Sequence, residues 1–131
     1  MAKSNQLVTW PVNSDVGPGA RKESDVMTQV ATAFDGAADL SVTAVSGAET
    51  GYQVDFYAQT RNVITDAFET APPTSRMIFL GSITVDVVTM PLRQNKPRPF
   101  PHLATEYKIV AISSAATDTA TIAANVRTDS P

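Results

Sequence analysis

Few residues in this chain combine the type and the setting that chemistry needs. His102 is the only histidine. An imidazole serves as a general base or a metal ligand when neighbouring groups orient it. His102 stands between Pro101 and Leu103, with no Ser or Asp nearby in a nucleophile motif, and reads as a loop residue. Asp35 and Asp39 flank Gly36-Ala37-Ala38. Two carboxylates so placed can approach a calcium ion, yet the segment lacks the ligand density of an EF-hand loop. They read as turn residues beside Gly36. The run "GPGAR" at 17–21 has two glycines and an arginine. A phosphate loop would continue into Gly-Lys-Ser/Thr and a helix; this run does not, and reads as a flexible linker. The chain has no cysteine, so disulfides, zinc–thiolate sites, thiol nucleophiles and iron–sulfur clusters drop out together. These residue types point to a non-enzyme, with no catalytic residue, metal or cofactor.

Binding chemistry is denser. "RQNKPRPFPH", residues 93–102, holds three cations, three prolines, Phe100 and His102. Residues 21–92 carry four cations against nine acids, a net of −5, while residues 93–108 carry four cations against one acid, a net of +3. The stretch is thus a positive spot on an acidic body. A nucleic-acid groove would want more cations and more stacking aromatics than Phe100 and Tyr107. The overall charge of −3 also argues against binding nucleic acid through bulk charge. A protein partner suits the pattern better. Arg93 and Arg98 can fork onto carboxylates, Lys96 adds charge, Phe100 can fill a pocket, and prolines limit the entropy lost on docking. The alternative is a loop whose prolines only restrain it.

Trp10, beside Pro11, is the only tryptophan. It is either an anchor for the N-terminal strand or a hot spot that fixes an arm to a neighbouring subunit. The candidate partner-binding residues are therefore Trp10, Arg21, Arg93, Lys96, Arg98 and Phe100.

The elements that must position these residues are strands. Ala, Thr, Val and Ser dominate, and branching at Cβ suits Thr and Val to a pleated surface. Residues 6–12 read as a short strand or extended arm, with Pro11 keeping it off a sheet centre. Residues 25–34 fit a helix face, with Ser24 as a cap, or an alternating strand; strand residues favour the strand. Residues 39–46 and 52–60 alternate and are joined by the turn Gly47–Gly51, which reads as a hairpin. Residues 61–68 continue that strand or begin another, and 69–75 form a loop around Pro72-Pro73. Residues 76–92 are the longest apolar stretch, with a bulge or bend at Gly81. Strands follow at 105–114 and 119–128, around a turn at 115–118.

Seven to eight strands with turn signals between them predict an all-β, single-domain antiparallel β-sandwich or barrel-like fold, jelly-roll or Ig-like. Residues 1–24 are expected as an extended N-terminal arm with a Gly/Pro loop, and residues 25–131 as the β domain. No run approaches the ~20 apolar residues of a membrane helix, so no membrane partner is expected. The start "MAKSNQLVTWPVNSD" lacks a signal-peptide core, which points to synthesis in a cytoplasm.

A small, cysteine-free, Ala/Thr/Val/Ser-rich β domain with a loose Gly-Pro N-terminal segment and a Pro-rich basic loop resembles the structural proteins of tailed-bacteriophage virions. It resembles the head decoration, or cement, proteins among them in particular. The resemblance is one of composition and layout along the whole chain. It implies a homo-oligomer made in the host cytoplasm and carried on the virion, which clamps adjacent major-capsid subunits or other virion subunits with arms and loops. Two other expectations stay open: a coat or tail-tube subunit that polymerises on its own, and a β-sandwich module that binds carbohydrate or peptide.

Overall fold

Alternation decides most of the architecture. Along Tyr52–Thr60, the side chains of Tyr52, Val54, Phe56 and Ala58 are buried, while Gln53 is exposed and Asp55 and Tyr57 are half-buried. Such a row must find a second apolar face. The computed structural model, which describes residues 2–28, 35–62, 64–86, 90–93, 98–99 and 106–130, provides it as an antiparallel sandwich.

The first sheet contains β1 (Ala2–Leu7), β2 (Asp15–Val16), β5 (Asp35–Val45), β8 (Leu92–Arg93), β9 (Arg98–Pro99) and β11 (Ala120–Ser130). The second contains β3 (Arg21–Glu23), β4 (Met27–Thr28), β6 (Tyr52–Thr60), β7 (Ile78–Val85) and β10 (Glu106–Ser113). In the first, the order is β1-β11-β5-β8, with β2 beside β11 and β9 beside β5. In the second it is β3-β10-β6-β7, with β4 beside β10. Every described pairing is antiparallel. The chain is all-β and a sandwich, not a closed barrel.

The core lies between the sheets. Leu40 and Val42 of β5 and Ile122, Ala124 and Val126 of β11 meet Val54 and Phe56 of β6 and Tyr107 and Ile109 of β10 in one cluster. At one side, Gln6 joins the two sheets. Its Nε2 donates to Thr28 O at 2.9 Å, and its Oε1 accepts from the Tyr107 hydroxyl at 2.6 Å. Burial pushes that hydroxyl up to about 12, so it stays a donor throughout the physiological range.

Four expectations change. Residues 1–24 are not an arm apart from the domain: β1 and β2 pair with β11, and β3 pairs with β10. The Ala2–Leu7 backbone finds its ladder partners in its own chain. The expected hairpin is an arch instead, since β5 and β6 lie in opposite sheets. Its two apolar rows face one another across the core. The described residues of 61–68 hold no strand; Asn62 and Ala67 make an isolated bridge around a turn. Asp35 and Asp39 lie on β5 rather than in a turn. The bulge at Gly81 is present, where the register shifts between Phe56 and Tyr57 so that Gly81 and Phe79 flank an extra Leu80. Within 25–34, Met27–Thr28 is strand and residues 29–34 lie outside the described residues.

Candidate interaction surface

The six residues singled out from sequence do not converge. Arg93 pairs with Ser41 and Arg98 with Ala38, which places both backbones on the β8/β9 edge of the first sheet. Lys96, Phe100 and His102 lie outside the described residues. Trp10 is at the other edge, after β1, half-buried against the core. Its anchoring role is the one the geometry displays. Arg21 sits on β3, and its Nη1 donates to Pro72 O at 2.7 Å. The "GPGAR" run is a tight turn, with Ala20 N–H donating to Gly17 O at 3.1 Å and Gly19 at φ 60°. It carries the chain from one sheet to the other.

Arg21 belongs to a cover over the outer face of the second sheet. The connection over 64–77 folds back across that face and is held from three strands. Arg21 of β3 holds Pro72, Gln59 of β6 donates through Nε2 to Glu69 O at 2.8 Å, and Lys108 of β10 lies 5.0 Å from the Phe68 ring centre. Arg61 lies 4.9 Å from the same ring, so two cations contact it. Val110, on the outer row of β10, is fully buried. Beyond the cover, Phe79 is 58% exposed and stands edge-on to Tyr57, with ring centres 5.5 Å apart.

The outer face of the first sheet has no such cover among the described residues. It carries small and polar side chains, including Ser41, Thr43, Ala44, Thr121, Ala123 and Asn125. A depression of about 370 Å³ opens on it, lined by Leu7, Asp39, Leu40, Ser41, Ala123, Ala124 and Asn125. Leu7 is 67% exposed at its rim. Asp39 is paired with Asn125 through the ladder, and the residue is exposed on the same rim.

The edge of this sheet makes an excursion. Leu7 pairs with Asn125 and Asp15 pairs with Thr121, so seven residues, 8–14, stand against three, 122–124. Both feet are bonded: Val8 N–H donates to Ala124 O at 2.9 Å, and Ile122 N–H donates to Ser14 O at 3.0 Å. The surplus is pushed outward and tied to the second sheet. Asp25 N–H donates to Thr9 O, the Thr9 hydroxyl donates to Asp25 Oδ2, and Lys22 Nζ donates to Pro11 O at 2.8 Å. Trp10 roots it in the core.

At the tip is Val12, fully exposed, with φ 67°. Asn13 N–H donates to Pro11 O at 2.8 Å, which closes a three-residue γ-turn around Val12. A β-branched side chain at positive φ is a true outlier, and such positions cost about 1–3 kcal/mol. Here that cost holds an apolar side chain in water on a rooted loop. Sequence reading marked Trp10 and Pro11 but passed over Val12, because valine carries no signal for a left-handed turn. The uneven spacing of Leu7 and Asp15 along β11 was equally hidden.

No protein-family model matches the chain, and no curated protein sequence is similar to it.

Proposed function

We propose that this chain is a non-enzymatic assembly subunit, a decoration (cement) protein that sits on a bacteriophage capsid and clamps neighbouring capsid subunits. The observation that carries the reading is Val12, fully exposed at the tip of a braced loop. An apolar side chain held out against strain is suited to a pocket on a partner, where a few well-packed residues carry most of the binding free energy. The resemblance in composition supplies the kind of partner: the major capsid protein. The basic stretch on the far edge of the same sheet offers a second contact, toward acidic protein surface.

Co-sedimentation tests this reading. The purified protein, mixed with shells assembled from a tailed-phage major capsid protein, pellets with them at a saturable ratio. A protein that pellets with no shell and forms no assembly of its own rejects the reading.

A carbohydrate-binding module is the second reading, favoured by one observation. The exposed Phe79 ring beside Tyr57, with Asp55 hydrogen-bonded to Ser82 on the same face, is a platform on which a sugar face can stack. Binding on a glycan array that disappears in Phe79→Ala, with an unchanged melting temperature, supports it. An array without signal removes it.

A further inference from the structure

A sheet edge presents unpaired N–H and C=O groups, and chains blunt such edges with short strands, proline or bulges. Among the described residues, three of the four edges here are blunted so. The β8/β9 edge of the first sheet is split into two-residue strands, one of which holds Pro99. On the second sheet, β3 and β4 are two or three residues long, and β7 carries the bulge at Leu80. β1 is different. It pairs with β11 in unbroken register from Ala2↔Ser130 to Leu7↔Asn125, with no proline, glycine or bulge. Which of its backbone groups point outward follows from one bond. Val8 N–H donates to Ala124 O at 2.9 Å. In an antiparallel ladder every second residue exchanges both bonds with its partner, so Ala2, Ser4 and Gln6 bond β11. Lys3, Asn5 and Leu7 turn their N–H and C=O groups the other way, where no strand among the described residues pairs with them. Gln6 reaches the second sheet through Thr28 O and the Tyr107 hydroxyl. Asn5 and Leu7 therefore take the outer face, and both are exposed.

We infer that this edge pairs antiparallel with the same edge of a second copy of this chain, across a two-fold axis at Asn5. Residues opposite each other in an antiparallel ladder share one bonding state, so outward residues must meet outward residues. An axis at Asn5 sets Asn5 against Asn5 and Lys3 against Leu7, and every outward group of the three is answered. An axis at Ser4 or Gln6 brings only two of the three against one another. An axis at Lys3 sets like charges directly opposite, which is destabilising. A second copy is the occupant that supplies the antiparallel direction and the same three residues by symmetry alone, since a two-fold contact uses one patch twice. The two first sheets then run on as β5-β11-β1-β1-β11-β5. Pairing consumes the regular edge, and the blunted edges left over do not extend it, so the contact closes as a dimer. Leu7, 67% exposed in the single chain, gains a neighbouring strand on the outer face. Val12 and the basic stretch take no part in this ladder, so the contact goes beyond the capsid reading and uses none of the residues that carry it.

Sedimentation equilibrium at several concentrations measures the dimer constant, and amide hydrogen exchange locates the contact. The wild-type chain dimerises. The Ser4 and Gln6 amides are protected at every concentration by β11, whereas the Lys3, Asn5 and Leu7 amides gain protection only as the dimer forms. Asn5→Lys and Asn5→Asp place like charges face to face at the axis, and each should weaken the dimer by roughly tenfold. Mixed together, the two variants should form a heterodimer about as tight as the wild-type dimer, a rescue that arises only where residue 5 meets residue 5. Asn5→Pro removes the outward N–H, and proline is tolerated where an edge N–H faces away from its ladder. It should weaken the dimer roughly 30-fold or more through the bonds lost at the axis. A wild-type chain that stays monomeric at high micromolar concentration overturns the inference. So does a dimer in which the Lys3, Asn5 and Leu7 amides exchange as they do in the monomer, or a mixture of the Lys and Asp variants that forms no heterodimer. Shell binding by a protein that stays monomeric overturns this contact and leaves the capsid reading standing. A dimer with the alternating protection supports the contact whether or not shells bind.

Discussion

Glu49 and Asp118 each hold the backbone that carries the other. Glu49 Oε1 accepts from Asp118 N–H at 3.0 Å, and Asp118 Oδ2 accepts from Glu49 N–H at 3.1 Å. The Glu49 carboxylate also accepts from Ala116 N–H, Thr117 N–H and the Thr117 hydroxyl at 2.8–2.9 Å. The β5–β6 and β10–β11 connections both cross between the sheets, and this exchange clamps the two arches together at one end of the sandwich. In this arrangement both carboxylates spend lone pairs on the backbone.

The clamp should make stability depend on acid. The N–H groups of Ala116, Thr117 and Asp118 lower Glu49 from 4.5 to about 2. The folded state therefore favours the charged carboxylate. Its contribution is fully present above pH 4.5 and is lost as pH falls from there through about 2. Glu49→Gln keeps the shape and removes the charge. Its melting temperature should lie several degrees below wild type at neutral pH, and the gap should close as pH falls through that window. A gap that stays constant down to the acid end would show that charge at Glu49 does not matter.

Gly47 is tied to the same clamp. A Cβ at this position would run into Asp118 Oδ1, and Asp118 is buried. Gly47→Ala should push Asp118 off Glu49 N–H and cost about 1–3 kcal/mol, the range for an unmade buried hydrogen bond. In an Asp118→Ala background the same substitution should cost less than half as much, because the obstacle is gone. Urea denaturation of the four proteins in that cycle measures the coupling, and equal costs in both backgrounds would refute it.

What the sequence made legible here is burial, and what it hid is pairing. Tyr52–Thr60 shows its inner row by period alone, and Gly81 marks a bulge because it interrupts an apolar run. Period two says which side of a strand meets the core. It does not say whether the next strand lies beside it or opposite it. The arch between β5 and β6 depends on Glu49 reaching 116–118, far away in the chain. Strands of two or three residues, such as β2, β3 and β4, are too short to show a period at all. The interaction surface was legible only in part. Trp10 and Pro11 flagged the edge loop by type, whereas Val12 gains meaning only from where β1 and β11 bring it.

Arg21 illustrates the same limit and can be tested directly. Its guanidinium is committed to Pro72 O, under a connection also held by Gln59 and Phe68. Arg21→Ala should lower stability by about 1–2 kcal/mol, as for loss of a charged hydrogen bond at a half-exposed site. Hydrogen exchange should speed up within residues 64–77 and at Gln59 and Val110, with assembly intact. Phe68→Ala should loosen the same segment, since each cation–π contact is worth about 0.5–1 kcal/mol. Normal exchange with weakened assembly would assign Arg21 to a partner instead.

The basic stretch carries the opposite expectation. Arg93 and Arg98 pair through their backbones with Ser41 and Ala38 at the β8/β9 edge, and side-chain charge plays no part in a backbone ladder. Reversing both, as Arg93→Glu with Arg98→Glu, should therefore leave the melting temperature within a degree or two of wild type. The local +3 spot on residues 93–108 becomes −1, so attraction to an acidic protein surface turns to repulsion. Binding to capsid shells should weaken, and it should weaken more at low salt than at high, because screening removes the repulsion beyond roughly 8–10 Å at physiological ionic strength. Shell binding that is unchanged at low salt would show that these cations face solvent, and a large fall in melting temperature would show that the stretch serves the fold.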